Sequence, residues 1–164
     1  MNKMKKAIIG LAVGAVAALG VVGFAACGSS EQTVEGEYSY ESHSHTYGVK
    51  VEVTVDGDTI KSVKVVDNGK NWIEATPDNY GDESWDKGVN YNAKRPELLS
   101  KFEGLKVDDV LALVVKTNDV GEPLKQEDEG FNAYNVGKTE FLISGSTQST
   151  GRLILAVQDA LENL

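Results

Sequence analysis

Cysteine is nearly absent from the 164-residue chain, with one residue at position 27, which excludes a disulfide-stapled scaffold. Proline is scarce, at three, and no low-complexity tract occurs, so the composition is not that of a disordered chain. Basic side chains are also short: 16 Lys+Arg stand against 25 Asp+Glu, a formal net charge of -9. That balance argues against nucleic-acid binding, which needs clustered Lys and Arg to neutralise phosphates. Several signatures are missing as well. There is no Cys-x-x-Cys-His for haem, no Gly-rich loop after a strand for a dinucleotide, no Gly-x-Ser-x-Gly elbow, no EF-hand register and no internal repeat. What is present is 41% hydrophobic and 25% charged residues, the make-up of one folded domain.

The first thirty residues read as an address. Lys3, Lys5 and Lys6 precede an apolar or glycine run from Ala7 to Ala26, followed by Cys27 and then Gly28-Ser29-Ser30. A basic segment, an apolar stretch and small residues before a cut make a secretory signal. A run of this length also spans ~30 Å of hydrocarbon at 1.5 Å per residue, so an uncleaved anchor is the competing reading. Ala25 and Ala26 immediately before Cys27 resemble the lipobox of bacterial lipoproteins, with Phe24 where Leu is usual. The resemblance implies cleavage ahead of Cys27 and lipid on its thiol and new amine. The expected organisation is then 1–26 signal peptide, 27–35 lipidated cysteine and flexible tether, and 36–164 a single folded domain. Without its three N-terminal lysines the chain keeps 13 basic and 25 acidic side chains, a net charge of -12. Such a surface is held off an anionic lipid face, tethered rather than adherent.

The domain opens as a β-meander. Val49, Val51, Val53 and Val55 alternate with Lys50, Glu52 and Thr54, the period of a half-buried strand. Asp56-Gly57-Asp58 supplies a turn, and Thr59–Val66 returns with Ile60, Val63 and Val65 inward; the parity slip between Ile60 and Val63 marks a bulge. Residues 67–95 carry Trp72, Tyr80, Trp85 and Tyr91 in a segment too long for a plain connection, and either roof the sheet or line a cleft. Pro96 to Gly104 predicts a short helix opened by Pro96 and presenting Leu98, Leu99 and Phe102. Val107–Lys116 is a short helix capped by Asp108 or a buried strand, which periodicity does not separate. Residues 117–138 read as polar loop and Thr139–Ile143 as a strand. From Arg152 to Leu164, Leu153, Ile154, Val157, Ala160 and Leu161 sit at helical spacing. The fold class expected is α+β, a twisted, mostly antiparallel sheet packed against the C-terminal helix.

Between the last strand and that helix lies Ser144-Gly145-Ser146-Thr147-Gln148-Ser149-Thr150-Gly151. Small, hydroxyl-rich residues feeding a helix put unpaired N–H groups at its positive end, an arrangement that binds anions and above all phosphate. Ser and Thr are equally ordinary N-caps. His43 and His45 are a candidate metal pair, but no third ligand stands at recognisable spacing, and a solvated strand end is the plainer reading. Asp78, Asp82, Glu83 and Asp86 form a loose acidic group that reads as a calcium site or a solvated loop.

Taken together, Gly36-Glu-Tyr38, Tyr47-Gly48, the Val51–Val66 hairpin and Ile143-Ser-Gly-Ser-Thr-Gln-Ser-Thr150 before an Ala/Val/Leu helix resemble the FMN-binding domain family. That domain occurs in the peripheral flavin subunits of Rnf and sodium-pumping quinone reductase complexes and in lipoproteins of extracellular electron transfer. The resemblance covers about Gly36 to Leu161. In the family the turn reads Ser-Gly-Ala-Thr, and a flavin transferase joins FMN to the threonine hydroxyl through a phosphoester bond. By position the acceptor here is Thr147, with Ser144 and Gly145 matching and Ser146 in place of Ala; Phe141 stands where Asp is usual. Ser149 and Thr150 are the neighbouring hydroxyls open to the same modification. The resemblance thus implies an extracytoplasmic flavoprotein held to the lipid bilayer by its N-terminal lipid. It would be matured by a flavin transferase, pass electrons to a membrane or extracellular redox partner, and place its isoalloxazine against the aromatic segment. Two other readings share the same features: a surface lipoprotein that binds a ligand or protein partner without any cofactor, and a membrane-anchored flavin reductase with its own small-molecule acceptor.

Overall fold

The computed structural model describes residues 30–66, 91–142 and 147–164. Its elements run β1 (Glu31–Ser42), β2 (His45–Asp56), β3 (Thr59–Val66), α1 (Tyr91–Ser100), α2 (Val107–Leu111), β4 (Asn135–Val136), β5 (Thr139–Glu140) and α3 (Thr147–Leu161). β1, β2 and β3 form an antiparallel meander in that order, and β4 pairs with β5 in a small separate hairpin. The fold is α+β, with the sheet packed against the C-terminal helix.

Alternation decides which face of the sheet is buried. Val49, Val51, Val53 and Val55 of β2 all point inward, as do Ile60 and Val63 of β3. Gly36, Tyr38 and Tyr40 of β1 lie opposite Val51, Val49 and Tyr47 on that same face. The outer face carries polar cross-strand pairs, including Lys50 with Glu35 at 2.7 Å and Thr33 with Thr54 at 3.1 Å. The expected bulge is present: Thr54 pairs with Ser62 but Val55 with Ile60, leaving Lys61 as the extra residue and restoring Ile60 to the core face.

α3 lies across this face. Leu153, Ile154, Ala156, Val157, Ala160 and Leu161 are all buried, and they meet Phe102, Val110, Tyr134 and Phe141 from the rest of the chain. Phe102 and Phe141 pack at 4.6 Å between ring centroids. Two contacts fix the direction of the helix over the sheet. An ideal Cβ on Gly36 would stand 2.2 Å from the Ala160 nitrogen and 2.4 Å from the Ala156 oxygen, so helix and strand touch backbone to backbone there. At the other end the guanidinium carbon of Arg152 lies 6.0 Å from the centre of the Tyr47 ring. The C-terminal half of α3 therefore covers the middle of β1, and its start reaches the end of the sheet where β1 turns into β2.

Several boundaries differ from those expected. β1 begins at Glu31, so residues 31–35 of the stretch assigned to a tether are strand; pairing continues to Glu31 opposite Asp56, with Val34 opposite Val53 on the core face. α1 starts at Tyr91 and holds Pro96 in its interior, where no turn of helix was expected before Pro96. After α1 the chain tightens into successive i to i−3 bonds, from the Lys101 amide to Leu98 O at 3.2 Å and from Phe102 to Leu99 O at 3.3 Å. It stops at Gly104 with φ +80°. α2 is helix rather than strand, preceded by Lys106 and not capped by Asp108. Lys106 instead ties the helix to the β2–β3 turn, its Nζ donating to Asp58 Oδ1 at 2.7 Å and Thr59 Oγ1 at 3.0 Å. The hydrogen bond from Lys106, then that from Thr59, ahead of the Lys106 charge itself, hold the exposed Asp58 carboxyl below the usual carboxylate range. Of the expected strand 139–143, Thr139–Glu140 is strand, 141–142 is not, and 143 lies outside the described residues; β4 lies inside what read as loop, because two-residue strands carry too little pattern to show.

Candidate functional site

The C-terminal helix opens earlier than its apolar periodicity indicated. It begins at Thr147, so Thr147, Ser149 and Thr150 form its first turn instead of a loop ahead of it. Thr147 is 6% exposed, Ser149 5% and Thr150 fully buried. No acidic side chain lies in this first turn, so no carboxylate of the helix itself offsets the positive end of the helix dipole. Ser144, Gly145 and Ser146, which complete the expected turn, lie outside the described residues.

Two polar side chains close to this end of the helix stand out. Arg152 is 2% exposed, against a residue type almost never fully buried without a partner. Its guanidinium carbon lies over the Tyr47 ring, 6.0 Å from its centre. Tyr47 in turn stacks on Tyr40 at 5.4 Å and meets the His45 ring edge-on at 6.4 Å. The second side chain is Tyr134, 1% exposed, whose hydroxyl lacks a hydrogen-bond partner, as does the buried Oδ1 of Asn132. Burial pushes the Tyr134 phenol up to about 12. Its oxygen lies against α3: a Cβ on Gly151 would stand 2.9 Å from it and 2.7 Å from Cβ of Pro123. Glycine at 151 is what lets this tyrosine approach the helix.

The chemical capacity of this end of α3 suits an oxyanion. It offers the N–H groups of a first helical turn, hydroxyls of Thr147 and Ser149, and a permanently cationic guanidinium, so the residues present fit a phosphate group. A cavity of about 210 Å³ among the described residues is lined by Lys94, Glu97, Leu98, Lys101 and Leu142, smaller than the ~300 Å³ at which ligand pockets begin.

The remaining expected sites are dispersed. His43 (φ 51°) and Ser44 (φ 64°) are the left-handed central residues of the two-residue β1–β2 turn, so His43 does not share a strand face with His45. His43 Nδ1 sits 2.8 Å from Ser42 Oγ. Among the described residues no group of three or more His, Cys, Asp or Glu is placed to hold a metal ion. Phe141 is a fully buried core residue against Phe102. Cys27, Trp72, Tyr80, Trp85, the side chain of Tyr91, and Asp78, Asp82, Glu83 and Asp86 lie outside the described residues. No described helix is long and apolar enough to cross a membrane.

Arg152 does not stand out in the sequence as a site residue, although a signal for it exists. Positions 152, 156 and 160 form an i, i+4, i+8 stripe whose other members are alanines, the spacing of a face pressed on a sheet. No protein-family model matches this chain, and neither a curated protein nor a solved structure proved similar to it.

Proposed function

We infer that the chain is an extracytoplasmic FMN-binding electron carrier, tethered to the membrane through lipid on Cys27, with the flavin phosphate held at the start of α3 and joined to Thr147. The observation that supports it best is the hydroxyl-bearing first turn of α3, Thr147, Ser149 and Thr150, whose positive end carries no acidic side chain. It coincides with the Ser-Gly-x-Thr pattern that resembles the flavin-attachment turn. Bound FMN would supply the redox chemistry, and the polypeptide contributes position, exposure and potential. Thr147 would be the acceptor: its hydroxyl oxygen would bond to phosphorus as a P–O bond of the flavin donor breaks, the departing oxygen taking up the hydroxyl proton, so that the protein gains one FMN less water. The N–H groups of the first turn hold phosphate oxygens, and Ser149 stands beside them. The segment 67–95 supplies aromatic faces for the ring system, as read from Trp72, Tyr80 and Trp85 in the sequence.

A cofactor-free surface lipoprotein that binds a ligand or protein partner is the second reading. Two observations favour it: Thr147 is nearly buried, and Phe141 belongs to the hydrophobic core in place of the acidic residue of the pattern. Intact mass and visible spectrum of the chain exported from a host that also secretes a flavin transferase decide between them. The carrier reading expects a yellow protein heavier by one FMN less water, modified on the peptide containing Thr147. Thr147→Val is expected to fold normally and carry no covalent flavin. A colourless wild-type protein of unmodified mass that ignores added FMN leaves the binding-lipoprotein reading. Turnover of a soluble acceptor by a yellow protein would make it a reductase.

A further inference from the structure

We propose that Tyr134 is a binding residue for the flavin phosphate: its buried hydroxyl donates a hydrogen bond to an oxygen of the phosphodiester formed at Thr147. The proposal deepens the flavin reading and rests on it for the phosphodiester, while the donor and its position rest on described side chains alone.

Tyr134 is 1% exposed and its hydroxyl has no hydrogen-bond partner. A desolvated hydroxyl that bonds to nothing opposes folding, and a tyrosine this deeply buried ordinarily finds an acceptor. Contacts on two turns of α3 fix where the hydroxyl stands. Its oxygen lies 2.9 Å from an ideal Cβ at Gly151, beside Cβ of Pro123 at 2.7 Å and Cγ1 of Val115 at 3.2 Å. Two turns further along, Gln158 Nε2 donates to the carbonyls of Val110 at 2.9 Å and Leu113 at 2.8 Å, so one stripe of the helix faces this single stretch of chain. Thr147 belongs to the same stripe, four residues before Gly151, and is 6% exposed. Helical side chains lean toward the N-terminus, so the spot over Gly151 that the hydroxyl occupies lies on the side of Thr147. Four residues of helix rise ~6 Å. One phosphate joined to the threonine oxygen, followed by one O–H···O bond of about 2.7 Å, bridges a gap of that size. The chemistry of the two orphaned atoms selects the tyrosine. Burial pushes its phenol up to about 12, so it keeps its proton and acts as a donor. Asn132 Oδ1 is an acceptor, its amide held by the bond from Nδ2 to Val114 O at 2.5 Å, and it has nothing to give an anion. Phosphodiester oxygens only accept, and their charge strengthens the bond that a buried phenol makes to them.

The test compares the full chain in detergent with and without flavin, made in hosts that do and do not secrete a flavin transferase, with loading read from intact mass. Flavin-free Tyr134→Phe should unfold at or slightly above the wild-type temperature, since an unbonded hydroxyl has gone. Flavin-loaded Tyr134→Phe should unfold about 6 °C below flavin-loaded wild type, the loss of one hydrogen bond to a charged group. A residue that only packs would shift both forms alike, so the change of sign is what identifies the contact. The phosphorus magnetic resonance signal of the loaded protein should also move between wild type and Tyr134→Phe. It should stay in place in Tyr38→Phe, whose hydroxyl already donates to Gly121 O at 2.6 Å. Gly151→Ala, whose Cβ displaces the Tyr134 hydroxyl, should move the same signal and carries the test if Tyr134→Phe takes up no flavin. A loaded wild type modified on Thr147 whose Tyr134→Phe variant shifts equally in both forms, or leaves the phosphorus signal unmoved, overturns the proposal and keeps the flavin reading. A wild type that takes up no flavin overturns the flavin reading and the proposal with it, which intact mass reveals before any variant is made.

Discussion

The two ends of α3 meet the sheet in opposite ways. Toward its C-terminus the contact is closed: Gly36 admits Ala156 and Ala160 backbone to backbone, the Glu37 amide donates to Asp159 Oδ2 at 2.8 Å, and Asn163 Nδ2 donates to Glu35 O at 3.3 Å. Toward its N-terminus the same helix buries Arg152 against the Tyr47 ring and lies beside the Tyr134 hydroxyl, which has no hydrogen-bond partner. One end is built for packing, and the other keeps polar groups that packing alone would have removed. Buried polar groups are ordinarily satisfied, so the Tyr134 hydroxyl beside Gly151 is an exception at one end of an otherwise orderly element.

Breaking the closed end should have the largest effect. Gly36→Ala has no flexible side chain to displace, since the atoms in its way are backbone of α3; the helix must lift from the sheet, at a cost of about 3 kcal/mol or more, read as lost midpoint in denaturant. The same substitution at the open end should be milder. Gly151→Ala meets the Pro123 side chain and the Tyr134 hydroxyl, both on the segment between α2 and β4, and gains helix propensity in return, for a net loss of roughly 1 to 2 kcal/mol. Combining it with Tyr134→Phe should recover part of that loss, because one of the crowding atoms is gone; strict additivity of the two would show that they do not share the contact.

Tyr134→Phe alone should have the smallest effect at neutral pH, within about 1 kcal/mol and in the stabilising direction, since it removes a desolvated hydroxyl that bonds to nothing. Its pH dependence is sharper. Burial raises this phenol from an ordinary 10 to about 12, so the folded state keeps a proton that the unfolded state releases. The protonated phenol's contribution to stability is complete below pH 10 and lost as pH rises from 10 toward 12. Phe at 134 should flatten that alkaline fall, and ultraviolet titration should lose its highest-pH tyrosinate step.

The sheet was legible because its signals are local. The valines of β2 alternate without interruption, Gly57 supplies the turn, and the slip between Ile60 and Val63 betrays the bulge at Lys61 within one hairpin. The apolar face of α3 was legible for the same reason, although not its start: Ser and Thr serve loops, caps and first turns alike, so Thr147–Gly151 read as loop. The beginning of α1 was hidden by Pro96, which normally opens helices and here sits inside one. What the sequence could not display was anything depending on partners far along the chain. Gly36 looks like any strand glycine until a helix more than a hundred residues later lies on it. Arg152 looks like a solvated charge until Tyr47 and the sheet end bury it. The candidate site is made mostly of such distant meetings, so residue patterns located its hydroxyls but not its cation.

The early start of β1 also bears on reach. With Cys27 lipidated, the chain up to Glu31 spans at most ~14 Å, less than half of what a tether running to Gly36 would allow. The start of β1 would then lie within that distance of the lipid. A strand of twelve residues is ~40 Å long, and its far end is the turn at His43 and Ser44, beside the start of α3. Under the proposed lipid anchor, that turn and the start of α3 would stand up to one strand length from the tethered end of the domain.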